Sequence, residues 1–432
     1  MTEVLPGPAT GPLPRHLLPD TASVSDGHLH IGGLDVLALA AEFGTPLFVY
    51  DEDHLRARCR EAVVAFGDGV AYATKAFLCT AMARLAAEEG MHLDVATGGE
   101  LFVALRAGVD PARLVLHGNN KSADELIEAL DAGVGRIVID SFDELDRLES
   151  LVAERGDQPP VVLVRVTPGV EAHTHEFIRT GQDDSKFGFG VRSGAAARAV
   201  ERAVRSPHLE LVGIHCHIGS QVFRAESFGE ALAVVAEFAQ PLDLPELSVG
   251  GGLGVPYVTG EEAPTITQWA AMLRRTAADL GLSARLLAEP GRSITAQAAV
   301  TLYTVGTVKE LPGIRTYVAV DGGMSDNPRP VLYGSGYETF LPRDTFAPRP
   351  WVTTVVGKHC ETGDVLVRDA TLPADTVVGD VIATPVTGAY GLSMGSNYNK
   401  VLRPAAVFVS GGRARLVVRR ETYDDLVRLD VG

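Results

Sequence analysis

Basic residues and long apolar runs are both scarce in this sequence. The chain of 432 residues carries 38 Lys and Arg against 55 Asp and Glu, giving a formal net charge of −17. Such a surface repels polyanions, so we expect neither nucleic acid nor an anionic membrane as a partner. No apolar stretch reaches the roughly 18 residues that a membrane-spanning helix requires. The first residues lack the basic and apolar segments of a signal peptide.

Cysteine is also scarce. The four cysteines, Cys59, Cys79, Cys216 and Cys360, are scattered and form no CxxC pair. This spacing argues against the common zinc and thioredoxin-like motifs, and we expect no bound metal. A few scattered thiols in a long chain are typical of a reducing compartment, so the sequence predicts a cytoplasmic protein.

The length and composition that remain indicate a globular protein with two domains. Hydrophobic residues make up 46% of the chain and charged residues 22%, which is typical of folded proteins. A chain of this length exceeds one ordinary hydrophobic core. One of the two domains could be a large barrel.

The middle of the chain alternates between short apolar runs and helix-like segments. Capping boxes begin two of these helices at Ser122 and Ser141, and glycines end them at Gly133 and Gly156. Continuous apolar runs suit parallel strands that are buried on both faces, so the pattern predicts an α/β fold, a (β/α)8 TIM-type barrel over 46–296. A doubly wound open sheet is the alternative. The eight predicted strands are 70–74, 92–97, 113–118, 136–140, 161–167, 211–217, 247–251 and 285–289.

Both ends of the chain lack this alternation. The C-terminal part contains β-like segments and one hairpin pattern with Gly411 and Gly412 at its turn. We therefore expect a second, β-rich domain that is formed by 1–45 together with 297–432.

Charged and imidazole side chains stand at or near the ends of the predicted barrel strands. Isolated buried charges are costly, so a whole set of them at one rim indicates a ligand. The set comprises Lys75, Asp94, His117, Arg165, His217, Glu289 and Arg292.

A glycine-rich loop, Gly250–Gly254, follows the seventh predicted strand. Such loops expose backbone N–H groups to anions, and phosphate sites in barrels often follow strands seven and eight. Together, Lys75, this loop and the buried acid Glu289 indicate pyridoxal 5'-phosphate (PLP). A lysine forms the Schiff base with this cofactor, and an acid holds its pyridine nitrogen protonated.

The motifs, in this order, resemble those of the fold-type III PLP decarboxylases, which combine an alanine-racemase-like barrel with a β domain. Within that group they are most similar to the diaminopimelate decarboxylases. Thr362 and Gly395 depart from the family pattern at positions that are not expected to carry chemistry. The motifs are Tyr72-Ala-Thr-Lys75-Ala, His117-Gly-Asn-Asn-Lys-Ser122, the segment 175–182, His215-Cys-His217-Ile-Gly-Ser220, Gly250-Gly-Gly-Leu-Gly254, Glu289-Pro-Gly-Arg292, Cys360-Glu361-Thr-Gly-Asp364, Gly388-Ala-Tyr390 and Ser393-Met-Gly-Ser-Asn-Tyr-Asn399.

The resemblance implies roles for individual residues. It implies that Lys75 carries the cofactor, that His217 stacks on its ring, that Glu289 binds the pyridine nitrogen and that Cys360 returns a proton to Cα. These four are the predicted catalytic residues. The remaining predicted cofactor contacts are Asp94, Ser220, Gly250, Gly251, Gly252, Pro290, Gly291, Arg292 and Tyr390.

The resemblance also implies the substrate and the reaction, which is decarboxylation of meso-2,6-diaminopimelate to L-lysine and CO2, the last step of lysine biosynthesis. The distal end of this substrate carries a carboxylate, which suits the planar fork of arginine, and an ammonium group. The predicted substrate contacts are Arg292, Arg329, Tyr333, Glu361 and Tyr390.

In this family, Cys360 and Glu361 reach the active site of a partner subunit, so a homodimer with shared sites is expected, with a possible pair between Lys186 and Asp364 across its interface. Three other functions stay open. They are a decarboxylase of the same fold for a different or carrier-linked amino acid, a racemase, and a non-catalytic PLP-binding regulatory protein. The Cys360–Glu361 motif is foreign to racemases of this fold, and the intact set of Lys75, Glu289 and Cys360 argues against the non-catalytic protein.

Overall fold

The computed structural model describes residues 11–169, 184–217 and 219–432, and the motif at 175–182 lies outside these ranges. The chain divides into two compact units. The barrel unit comprises Arg56–Val255 and Ala263–Ile294. The β-rich unit comprises the described part of Met1–Leu55, with Pro256–Glu262 and Thr295–Gly432. Among the described residues, no helix has both the length and the apolar surface needed to cross a bilayer.

The barrel unit is built on parallel strands that follow one another in chain order around the sheet. The N–H groups of Ala71 and Ala73 donate to the carbonyls of Ala288 (3.0 Å) and Pro290 (3.2 Å), which joins the two ends of the sheet. This confirms the predicted (β/α)8 barrel. Its eight main strands are Ala71–Ala73, His92–Val95, Leu114–Leu116, Arg136–Ile139, Val161–Thr167, Glu210–Cys216, Glu246–Ser248 and Arg285–Leu287, and the short strand Phe189–Gly190 pairs with the fifth.

Two helices of the barrel unit begin and end where the sequence signals predict. Ser122 and Glu125 form a complete capping box, and Ser141 accepts a hydrogen bond from the backbone of Glu144. Gly133 and Gly156 then end these helices in the left-handed conformation that glycine adopts without strain. The helices are Glu52–Phe66, whose first turn belongs to the other unit, and Thr80–Glu88, Gly98–Arg106, Ala123–Ala132, Phe142–Arg155, Ala195–Arg205, Ala225–Ala239, Ile266–Asp279 and Arg292–Thr295.

The β-rich unit contains one large sheet and one small one. The predicted hairpin is present, with Ser410 opposite Arg413 across the Gly411–Gly412 turn. The large sheet has the order Val365–Leu372, Trp351–Val356, Arg315–Val320, Ala299–Leu311, Leu47–Asp51, Ala405–Ser410 and Arg413–Val418, and Val381–Pro385 also pairs with Ala299–Leu311. The small sheet comprises Ser23–Ser25, His28–Ile31 and Leu34–Asp35, and the helices of this unit are Val36–Phe43, Arg329–Tyr333 and Tyr423–Val427.

One strand inside the range expected for the barrel pairs elsewhere. Leu47–Asp51 is antiparallel to the start of Ala299–Leu311 and parallel to Ala405–Ser410. All five of its residues are buried, as a barrel strand would also be. Its hydrogen bonds therefore place it in the β-rich unit, although its sequence resembles that of a barrel strand.

Candidate active site

Lys75 lies in a short turn, Thr74–Ala76, directly after the first barrel strand. Hydrogen bonds fix the turn on both sides. The Thr74 hydroxyl donates to the carbonyl of Asp94 (2.8 Å), and the Tyr72 hydroxyl donates to the carbonyl of Phe77 (2.7 Å). The side chain of Lys75 is exposed while its flanking residues are buried, so the lysine extends from a rigid base.

Glu289 follows the eighth barrel strand and is buried, with 9% of its surface exposed. Its two carboxylate oxygens accept hydrogen bonds from Ser248 Oγ (2.8 Å) and His215 Nε2 (3.0 Å). Burial alone would raise the pKa of Glu289, but His215 and these hydrogen bonds hold it well below its usual range. The site therefore contains a buried, ionised carboxylate.

Two histidines lie beside Glu289: His117, which belongs to the predicted rim set without an individual role, and His215, which was not predicted as a site residue. His215 binds Glu289 directly, and the Nε2 of His117 lies 3.6 Å from Glu289 and 3.7 Å from Asp94. Burial lowers the pKa of His117 well below its usual value, so this imidazole is neutral. A signal for His215 existed, because side chains two positions apart on a strand share a face and His217 was already selected.

The predicted ring-stacking residue His217 is held by the glycine loop. The backbone N–H of Gly251 donates to Nδ1 of His217 (3.1 Å). Because a backbone N–H can only donate, Nδ1 carries the lone pair of a neutral imidazole. Burial, with the charges of Lys75 and Arg165, also lowers the pKa of His217 well below its usual value. A neutral, oriented ring is suited to stacking on a cofactor.

The glycine loop packs too tightly for any side chain. A Cβ atom at Gly251 would lie 2.3 Å from the Glu289 carbonyl, and one at Gly252 would lie 2.1 Å from the Gly219 carbonyl. The N–H groups of Gly250 and Gly251 donate to Ser248 and His217. These two donors therefore hold the local structure together, which the phosphate interpretation of the loop did not anticipate.

Ser220, Arg292 and Asp94 complete the predicted set in the barrel unit. Arg292 is buried and donates from NH2 to Ser220 Oγ (3.0 Å), a pairing that brings together two predicted phosphate contacts. Gly291 lies against Ala73, where a Cβ atom would be 3.0 Å from the Ala73 carbonyl. Burial raises the pKa of Asp94 to about 8, against the opposing charge of Lys75, so this carboxyl group is mostly protonated at neutral pH.

The donor set fits PLP. A buried ionised carboxylate suits a protonated pyridine nitrogen, a neutral histidine suits the ring face, and an Arg–Ser pair suits a phosphate. The ligand atoms of His117, His215 and Glu289 also lie within 4.8 Å of one another, a spacing that a metal ion could use. An ionised carboxylate can only accept, so the His215 Nε2 that bonds to Glu289 carries a proton and offers no lone pair to a metal, which favours the interpretation as an organic cofactor site.

In the β-rich unit, Arg329 is a buried cation, with 5% of its surface exposed. Its NH1 donates to the hydroxyl of Tyr337 (2.7 Å), and its guanidinium carbon lies 4.1 Å from the ring centroid of Tyr257. Among the described residues no carboxylate pairs with it, and its Nε has no hydrogen-bond partner there. Burial opposes its charge, but the neighbouring tyrosines hold its pKa above the usual value.

The turn that carries Cys360 is fixed by Asp364. One carboxylate oxygen of Asp364 accepts from the backbone (2.9 Å) and ring Nδ1 (2.8 Å) of His359, and the other accepts from the Met324 N–H (2.7 Å). The Cys360 N–H donates to the Asn399 side chain (2.9 Å). Both oxygens of the buried Asp364 are therefore engaged within this turn and its neighbours, which argues against the expected pair with Lys186.

The other predicted substrate contacts are placed as follows. Tyr333 ends the helix Arg329–Tyr333 and is half-buried, and the rings that contact Arg329 are those of Tyr257 and Tyr337. Glu361 and Cys360 are exposed. Tyr390 has φ of +61°, a conformation that is strained for a tyrosine and that clusters at functional sites.

Comparison with known proteins identifies the family. Residues 52–296 match the model of the pyridoxal-dependent decarboxylases, pyridoxal binding domain. The chain is 49% identical to the diaminopimelate decarboxylase of Mycobacterium tuberculosis, over 94% of this chain and 95% of that protein. It is 46% identical to that of Bacillus subtilis, over 94% of this chain and 95% of that protein.

The chain belongs to the diaminopimelate decarboxylase family. A crystal structure of the enzyme from M. jannaschii, in complex with L-lysine, agrees in fold, with a TM-score of 0.88, 33% identity and coverage of 96% of this chain and 98% of that chain. The predicted family, enzyme class and PLP cofactor are therefore confirmed.

Proposed function

We propose that this protein decarboxylates meso-2,6-diaminopimelate to L-lysine and CO2, the last step of lysine biosynthesis. The observation that carries the choice of substrate is Arg329. A buried guanidinium without a carboxylate partner among the described residues is costly unless an anion completes it. Diaminopimelate has a second carboxylate at its distal end, whereas ornithine, the precursor of a simple diamine, has only an ammonium group there.

The barrel unit supplies the residues that would hold PLP. Lys75 would bind the cofactor covalently, Glu289 would accept a hydrogen bond from its ring nitrogen, and His217 would lie against its ring. When bound, PLP accepts the electron pair that the departing carboxylate leaves on Cα. The residues around the phosphate would be Ser220, Gly250–Gly252, Pro290–Arg292 and Tyr390, with the N–H groups of Gly250 and Gly251 holding the loop in shape.

The remaining chemistry is proton transfer. The buried hydrogen bonds from Ser248 and His215 keep Glu289 ionised, so it retains its charge at the ring nitrogen throughout the reaction. Cys360 has an exposed side chain, and its backbone is anchored to Asn399. Its Sγ would deliver the proton that replaces CO2 on Cα.

The substrate would be recognised at both ends. Arg329 and Arg292 would bind carboxylates, and Glu361 would bind the distal ammonium group. Tyr333 and Tyr390 would complete the substrate contacts. Because a fixed arginine fork would select the distal carboxylate, we expect amino acids without it, such as ornithine, to bind poorly.

We also propose a cytoplasmic homodimer with shared active sites, in which each chain supplies Cys360 and Glu361 to the site of the other. A complementation experiment tests this arrangement. Lys75→Ala and Cys360→Ala proteins, each inactive alone, are mixed and allowed to exchange subunits. Shared sites should restore about a quarter of wild-type activity, since half of the dimers are mixed and each has one intact site. No recovery despite exchange would contradict shared sites.

The test of the reaction is release of CO2 and L-lysine from meso-diaminopimelate by the purified protein with added PLP. The Lys75→Ala protein is the control and should lack both the product and the visible absorbance of the Schiff base. If the wild-type protein shows this absorbance but makes no lysine, the cofactor assignment stands and the substrate assignment is wrong. A panel of other amino acids, including carrier-linked ones, would then follow.

A further inference from the structure

We propose that Tyr257 and Tyr337 form an aromatic cage that positions Arg329 and sets the preference for substrates with a distal carboxylate. This inference rests on the proposed function, in which Arg329 binds that carboxylate. Neither tyrosine lies in the motifs that the sequence analysis selected. The segment Pro256–Glu262, which contains Tyr257, interrupts the barrel sequence and belongs to the β-rich unit.

The geometry of the cage is specific. The Arg329 guanidinium carbon lies 4.1 Å from the Tyr257 ring centroid and 5.6 Å from that of Tyr337. The two rings meet edge to face, with centroids 5.2 Å apart and an interplanar angle of 81°. Tyr337 also accepts a hydrogen bond from NH1 of Arg329 (2.7 Å). Two aromatic rings and one hydrogen bond thus hold the Arg329 guanidinium in place.

The cage holds the cation without neutralising it. Ring faces attract a cation through their quadrupole, and a hydroxyl oxygen accepts one of its protons. A carboxylate in the same place would satisfy the arginine fork and compete with the substrate. An aromatic cage therefore stabilises the buried charge while it leaves the fork open to an incoming anion.

Glu338, the acid next to Tyr337 in sequence, is directed elsewhere. Its Oε2 accepts from Arg349 NH1 (2.7 Å), and its Oε1 accepts from the N–H (2.9 Å) and hydroxyl (2.6 Å) of Thr259. These bonds tie the segment of Tyr257 to the segment of Tyr337. Glu338 thus links the segments that carry Tyr257 and Tyr337, and both of its carboxylate oxygens are bonded to Arg349 and Thr259.

The experiment compares Tyr337→Phe, Tyr257→Leu and Tyr257→Phe in the holoenzyme. The readouts are kcat and KM for meso-diaminopimelate and the inhibition constants of two probes. The product L-lysine retains the carboxylate from the distal end of diaminopimelate, and 1,5-diaminopentane has no carboxylate. Tyr337→Phe and Tyr257→Leu should raise KM and the L-lysine constant about tenfold, because each removes one interaction with a desolvated cation. The constant for 1,5-diaminopentane should stay within about twofold, and kcat should change less than KM.

Conservative variants separate positioning from packing. Tyr257→Phe keeps the ring and should retain more L-lysine affinity than Tyr257→Leu. Tyr317→Phe, which removes a half-buried hydroxyl elsewhere in the β-rich unit, serves as the control. If Tyr257→Leu fails to fold, the smaller change Tyr337→Phe still tests the cage. Equal weakening of both probes by Tyr337→Phe would overturn the inference, since it would indicate a general packing role.

Arg329→Gln distinguishes this inference from the proposed function. Loss of the L-lysine preference in Arg329→Gln, but not in the tyrosine variants, would reject the cage and keep the arginine as the carboxylate contact. An unchanged preference in Arg329→Gln would reject Arg329 as that contact and the cage with it. Loss of the preference in Arg329→Gln, Tyr257→Leu and Tyr337→Phe together supports both.

Discussion

The two buried charges of the candidate site, Glu289 in the barrel unit and Arg329 in the β-rich unit, are compensated in different ways. In the barrel unit, Glu289 accepts from Ser248 and His215, and the neighbouring Asp94 is mostly protonated. In the β-rich unit, Arg329 contacts Tyr337 and Tyr257 and forms no ion pair with a carboxylate among the described residues. A self-contained network suits a cofactor that stays bound, whereas an open cation suits a substrate that must enter and leave. Whether a buried charge is already paired by the protein therefore indicates whether its ligand stays bound or must come and go.

Each unit also contains a buried ion pair that allows a matched comparison of stability. Lys121 and Glu144 are 2.7 Å apart in the barrel unit, and Arg349 and Glu338 are 2.7 Å apart in the β-rich unit. Lys121→Met and Arg349→Met should each lower the free energy of unfolding by about 3–5 kcal/mol, because each leaves a buried carboxylate unpaired. Denaturant unfolding measures this loss.

The same two variants should differ in ligand binding. Lys121 also holds the carbonyl of Gly118, the residue after His117, so Lys121→Met should weaken PLP binding. Arg349→Met should instead weaken L-lysine binding, because it frees Glu338 beside the tyrosine cage. Identical ligand effects in both variants would remove the distinction between the two units.

Glu289→Gln tests whether the negative charge of Glu289 matters for the reaction. The neutral amide keeps the shape but loses the charge that faces the cofactor nitrogen, so kcat should fall about 10²–10³-fold. Steady-state kinetics measures this change. The matched control is Glu246→Gln. Glu246 begins the seventh barrel strand, whose last residue, Ser248, binds Glu289, and it pairs with Arg136 and Arg285. A similar loss of kcat in both variants would indicate damage to the barrel.

Much of the barrel site was predictable because its rules are local. Period and capping identified the strands and helices, and parallel strands bring their carboxyl ends to one rim. That rule alone selected Lys75, Asp94 and Glu289. The hydrogen bonds within the site could not be predicted in the same way. The N–H groups of Gly250 and Gly251 donate to Ser248 and His217, and these bonds depend on exact backbone positions that the sequence does not show.

The β-rich unit was predicted less completely because its contacts join distant parts of the chain. Leu47 pairs with Leu302 and Ala405, and no local pattern distinguishes such a strand from a barrel strand. Tyr257 meets Arg329 for the same reason. The family resemblance located Arg329, Cys360 and Asp364, but it gave no indication of the two tyrosines or of the hydrogen bonds by which Asp364 faces inward.

Asp364→Asn tests the turn that carries Cys360. The amide can accept at only one of the two positions, so at least one buried donor of His359 or Met324 loses its partner, at a cost of about 1–3 kcal/mol. The loosened turn should make the Cys360 thiol react faster with iodoacetamide, as followed by mass spectrometry of its peptide. Cys216, which is buried in the barrel unit, is the internal control. An unchanged Cys360 rate in a destabilised protein would separate the turn from Asp364.

Two buried acids, one in each unit, predict a dependence of stability on pH. Burial raises the pKa of Asp94 to about 8 and that of Asp326 to about 7, from an ordinary value of 3.8. Above that ordinary value the unfolded chain loses a proton that the folded protein keeps, so stability falls as pH rises towards 8 or 7. The slope is at most about 1.4 kcal/mol per pH unit for each proton.

Asp94→Asn and Asp326→Asn should therefore each flatten the fall in stability of the apoprotein between pH 5 and pH 7, and Asp94→Asn should flatten it more than Asp326→Asn between pH 7 and pH 8. Denaturant midpoints across this range measure the difference from wild type, which cancels the histidine contributions common to all three proteins. PLP should alter the Asp94 contribution, because it converts the Lys75 ammonium that opposes the raised pKa of Asp94. It should leave the Asp326 contribution unchanged. Equal responses of both acids to PLP would show that the cofactor acts on the whole protein and not on the barrel network alone.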